Sequence, residues 1–147
     1  MPKYFIHYND HIGSDAPWKV LPAVEAADKV VIATFETHAL GRQLVSNGRV
    51  TNVVGLSGGG EEFIDDVLNA GPKKTLVIAL GSPYLIEDHP QIQNYICTYS
   101  LTPTAEVSAV RALFGEIQNH AKLPVSLPGV AKRGFSLPWP SDKKLGN

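Results

Sequence analysis

The sequence predicts an α/β fold, a three-layer α/β/α sandwich with a mostly parallel sheet of about five or six strands. Three observations predict it. Two nearly continuous apolar runs, Lys29-Val30-Val31-Ile32-Ala33-Thr34-Phe35 and Lys74-Thr75-Leu76-Val77-Ile78-Ala79-Leu80, have the composition of strands covered on both faces. Segments with helical apolar spacing alternate with these and with shorter strand-like runs at short loop distances, as in βαβ units. The chain's 147 residues suit one domain and are too few for a (β/α)₈ barrel, which takes about 250 residues.

The elements follow in order. Tyr4-Phe5-Ile6-His7-Tyr8 is a short β-prone run, and Asn9 to Gly13 is rich in turn residues. Pro17 to Asp28 places Val20, Leu21, Val24 and Ala27 on one helical side. After the first apolar strand, Glu36 to Asn47 is polar with a few apolar residues and predicts a short helix around Leu40 to Val45; Val50 to Val54 predicts a strand. Gly55-Leu56-Ser57-Gly58-Gly59-Gly60 precedes an amphipathic helix, Glu61 to Ala70, with Phe63, Ile64, Val67 and Leu68 inward and Glu62, Asp65 and Asp66 toward water. Gly71-Pro72 stops that helix. The second apolar strand follows, then the turn Gly81-Ser82-Pro83-Tyr84 and a third strand within Asn94 to Ser100. Thr102-Pro103 supplies an N-cap and a first-turn proline for the longest expected helix, whose apolar set is Val107, Val110, Leu113, Phe114 and Ile117. Leu123 to Leu127 predicts a last short strand. The domain is expected to span residues 1–131, with 132–147 a Pro- and Lys-containing tail.

Composition excludes several classes. Hydrophobic residues make up 44% and charged residues 18%, enough for a packed core and unlike a disordered tail. Thirteen basic against fourteen acidic residues give a formal net charge of −1, without the basic excess that phosphate binding uses, so no nucleic-acid partner is expected. The single cysteine, Cys97, excludes an internal disulfide and a Cys-rich zinc site and reads as a buried, unreactive thiol. No stretch approaches the roughly 18 apolar residues of a membrane span, and Met1 to Asp10 lacks the basic start and apolar run of a signal peptide. The chain reads as soluble, with its compartment open.

The local motifs are modest. The glycine run between a strand and a helix invites a phosphate reading. It lacks the G-x-G-x-x-G register and any following Gly-Lys-Ser/Thr, and Glu61 and Glu62 would repel a phosphate there. Glu36, His38 and Arg42 follow a buried strand, and Ser82 and Tyr84 follow another. In open α/β sheets ligands gather at the carboxyl ends of strands, so these five are the candidate substrate-proximal residues. The bland readings are a solvated loop for the first group and a tight turn for the second. His7 and His11 lack a third ligand, so neither a metal site nor a cofactor is expected. Ser57 and Ser82 fit no G-x-S-x-G elbow. Glu61, Glu62, Asp65 and Asp66 read as the wet face of a helix.

The second half of the chain resembles a known family. Leu76-Val77-Ile78-Ala79-Leu80-Gly81-Ser82-Pro83-Tyr84-Leu85 is similar to the strand and small-Pro-Tyr turn of the C-terminal domain of family 3 glycoside hydrolases. Tyr95-Ile96-Cys97-Thr98-Tyr99-Ser100 resembles the next strand of that domain, Ala109 through Leu113-Phe114-Gly115-Glu116 its following helix, and Leu123-Pro124-Val125-Ser126-Leu127-Pro128-Gly129 its closing strand. The pieces occur in family order over residues 74–129, and the flavour is closest to the β-N-acetylglucosaminidase branch.

The resemblance implies an enzyme in which a (β/α)₈ barrel precedes this sandwich, and a carbohydrate substrate in the cleft between them. It implies that the nucleophilic Asp, and in this branch the acid/base His, lie on the barrel; none of those motifs is present here. Other branches take an acid/base Glu from the second domain. Counting back from Leu113-Phe114-Gly115 reaches Ala105, with Glu106 one residue away. Glu106 is thus either an ordinary first-turn carboxylate or an acid/base one residue out of register. The expectation is a chain that is inactive alone, docks on the barrel and completes the sugar cleft. The alternatives are a free-standing flavodoxin- or Rossmann-like binding module using the glycine run, and a structural interaction domain with Trp139 at its interface.

Overall fold

A computed structural model describes residues 16–35, 37–46, 49–56, 58–118 and 120–136. The strand expected at Tyr4 to Tyr8, as well as Glu36 and Trp139, lie outside the described residues. The elements are α1 (Ala16–Ala26), β1 (Val30–Phe35), β2 (Thr37–Ser46), β3 (Arg49–Gly55), α2 (Gly58–Ala70), β4 (Thr75–Leu80), α3 (Leu85–Asp88), β5 (Tyr95–Cys97) and α4 (Pro103–Leu113). The fold is α/β: β1, β4 and β5 form a parallel three-stranded sheet in that order. The described strands stop at three in this sheet, short of the five or six expected.

β4 is the central strand. Val30 to Phe35 run beside Thr75 to Leu80, and Val77, Ile78 and Ala79 pair with Tyr95, Ile96 and Cys97. The two steps from β1 to β4 and from β4 to β5 go the same way across the sheet, so right-handed connections put α2 and α3 on one face. The packing agrees. Ile64 and Leu68 of α2 and Leu85 of α3 pack with Val77 and Ala79, and Ile92 completes the cluster. Val20 and Val24 of α1, one turn apart, pack with Val67 of α2 and extend this core over Val30 and Ile32 of β1. Val77 is completely buried.

The other face is thinly covered. Ile78 and Ala109 are each 4% exposed but belong to neither cluster, and α4 contacts β4. This places α4 against the face that Ile78 occupies. β1 alternates between half-buried and exposed residues, with Phe35 60% exposed. The expectation that β1 is covered on both faces is therefore corrected: only β4, flanked by strands on both sides, is.

The orientation of α4 is also corrected. Ala105, Ala109, Ala112 and Leu113 are its buried or half-buried residues, whereas Val107, Val110 and Phe114 are 58%, 48% and 64% exposed. At 3.6 residues per turn the two sets lie on opposite sides of the helix. The helix approaches the sheet through its alanines. It ends in a Schellman arrangement: Glu116 N–H donates to Arg111 C=O at 2.9 Å and Gly115 N–H to Ala112 C=O at 3.0 Å, with Gly115 at φ +72°. α4 is not the longest described helix; α2, at 13 residues, is longer than α4 at 11 because it begins at Gly58, inside the glycine run.

Two strand expectations change. Residues 37–46, read as a loop with a helix around Leu40 to Val45, form β2, which pairs antiparallel with β3 as a separate two-stranded sheet. Leu123 to Leu127 does not form a strand of the sheet; it folds back on the residues that follow, through the Leu127–Ala131 bridge and mutual hydrogen bonds of Leu123 with Gly134 and Phe135. Pro124 and Pro128 remove ladder donors at both ends of that run. No helix among the described residues is long and apolar enough to cross a membrane.

Candidate functional site

The carboxyl ends of β4 and β5 lie side by side, and the chain leaves each through a turn fixed by side chains of its neighbour. After β4, Gly81 takes φ +104°, a conformation that side-chain-bearing residues rarely adopt. Pro83 is buried, and its carbonyl accepts a hydrogen bond from the Tyr95 hydroxyl of β5 at 3.1 Å. The Cys97 thiol donates a long contact to the Gly81 carbonyl at 3.9 Å. Ser82 Oγ accepts from the Tyr84 N–H at 3.3 Å, and the Tyr84 carbonyl accepts from Glu87 N–H at 2.9 Å to start the single turn of α3. Tyr84 itself is exposed. Two of the expected substrate-proximal residues, Ser82 and Tyr84, thus share one pinned turn at the sheet's carboxyl edge. Cys97 is half-buried, less enclosed than its apolar strand implies.

After β5, Thr98 N–H donates to Ala79 C=O at 3.1 Å and the next residue, Tyr99, turns to φ +55°. Such a backbone costs a non-glycine residue about 1–2 kcal/mol. The Thr98 hydroxyl holds the turn by donating to Ser100 C=O at 2.7 Å. The Tyr99 ring is exposed, and its hydroxyl pKa is raised, first by partial burial and then by the nearby Cys97. Ser100, Thr102 and Thr104 form a chain of hydroxyls, each step 3.1 Å, at the start of α4. Thr102 occupies the N-cap position as expected, but its hydroxyl joins this chain and does not cap the helix. Tyr99 and the hydroxyl chain are additions to the expected site. Their position after a strand was the available signal, but their contacts depend on the backbone turn.

The remaining expected residues are dispersed. His38 and Arg42 lie on β2, where His38 is opposite Val54 and the pairing register breaks before Gln43. Glu106 is exposed in the first turn of α4, and no hydrogen bond or ion pair joins its carboxylate to another group among the described residues. It has no second carboxylate beside it.

A second polar centre lies away from this edge. Asp65, read as a wet-face residue of α2, instead accepts from His89 Nδ1 at 2.7 Å and from Gln91 Nε2 through the same oxygen. A carboxylate only accepts, so Nδ1 carries the proton in this contact. His89 is buried and Asp65 half-exposed. His89 Nε2, Glu87 Oε1 and Thr34 Oγ1 are buried without hydrogen-bond partners among the described residues. Burial, and secondarily Asp88, pushes the Glu87 carboxyl above its ordinary range. Among the described residues no group of three or more His, Cys, Asp or Glu is arranged to hold a metal.

Chemically, the carboxyl edge offers two exposed aromatic rings and a row of hydroxyls on rigid turns, and no nucleophile–base pair. Comparison with known proteins adds no relative: no protein-family model, no curated protein and no solved structure matches the chain.

Proposed function

We propose that the chain is the C-terminal α/β domain of a family 3 glycoside hydrolase of the β-N-acetylglucosaminidase type. It docks on a (β/α)₈ barrel, forms one wall of the sugar cleft and is inactive alone. In this reading the described strands and helices are the centre of a three-layer sandwich of five or six strands.

The observation that carries the proposal is the Gly81–Tyr84 turn. It belongs to the segment that resembles the family, and it sits at the carboxyl end of the central strand, where ligands of open α/β sheets gather. Its backbone is held from β5 by Tyr95, while the Tyr84 ring is left exposed. Exposed tyrosine rings and hydroxyls suit the apolar faces and hydroxyl edges of a sugar. Retaining hydrolysis needs two carboxyl groups about 5–5.5 Å apart or an equivalent pair. Glu106 stands alone, which favours a supporting role for the domain. The outward Val107, Val110 and Phe114 suit a domain that presents apolar surface to a partner. The alternative nucleotide-binding reading gains no support, because the glycine run enters α2 directly from β3 of the separate hairpin.

Two measurements test the proposal. The purified chain should show no turnover of aryl N-acetylglucosaminides or aryl glucosides; sustained turnover by the chain alone overturns it. Calorimetric titration with a separately expressed family 3 barrel of the β-N-acetylglucosaminidase type should give saturable heat, and absence of binding removes the docking role.

A further inference from the structure

We draw no further inference here: the strongest candidate, the outward apolar face of Val107, Val110 and Phe114 on α4, is an unpartnered helix surface, and nothing in the structure shows what covers it.

Discussion

The two faces of the parallel sheet are built by different means. On one, three helices bring branched aliphatic side chains against Val77 and Ala79, and α1 and α2 also pack against each other. On the other, a single described helix rests alanines against β4 and turns its larger side chains outward, while Val31 and Phe35 of β1 stay exposed. Stability scales with apolar area removed from water, so the first face holds the fold together. The second is a close but shallow contact. Small side chains let the helix axis approach the sheet, at the expense of the area they bury.

Substitutions on each face test this contrast. The largest effect is expected for Leu68→Ala, which opens a cavity in the cluster shared by α2, α3 and β4. It should cost about 2–5 kcal/mol in urea unfolding. Next is Ala109→Leu, which forces a larger side chain into the seam between α4 and the sheet and should cost about 1–3 kcal/mol. A neutral result would mean that α4 is loosely held. Asp65→Ala should also cost about 1–3 kcal/mol, because buried His89 loses its acceptor, whereas Asp65→Asn keeps a carbonyl oxygen and should lose less. The smallest effect is expected for Val110→Ala on the outer side of α4, within about 0.5 kcal/mol. If it matched Leu68→Ala, the two faces would not differ as described.

The same contrast explains what was legible in the sequence. β1, β4 and the helical nature of α1, α2 and α4 follow from apolar runs and periodicity, because those signals are local. The direction α4 faces does not. Both its sides repeat at helical spacing, one in alanine and one in valine and phenylalanine, and transfer free energy alone favours burying the larger set. Only the close approach of α4 to β4 selects the alanines. β2 was misread because its few apolar residues fit a short helix, while a strand is fixed by its partner, here β3. At the candidate site, Ser82 and Tyr84 were legible from their place after an apolar strand. The contacts of Asp65 with His89 and Gln91 span 24 and 26 residues, and no local pattern encodes them.

Lys74 joins the two ends of the well-packed face. Its ammonium donates to the carbonyls of Glu25 and Ala27 at the end of α1, at 2.9 and 3.0 Å, while its own carbonyl receives Val30 N–H at the start of β1. This junction closes a loop of 47 residues from Lys74 to Ala27, whereas the Asn94 side chain reaches Thr75, at the start of β4, over only 19. Loop-closure entropy rises with length, by about 0.6 kcal/mol per doubling. The route of assembly therefore has a direction: β4, α3 and β5 are the inexpensive nucleus, and α1 with β1 is the late arrival that Lys74 fastens in place.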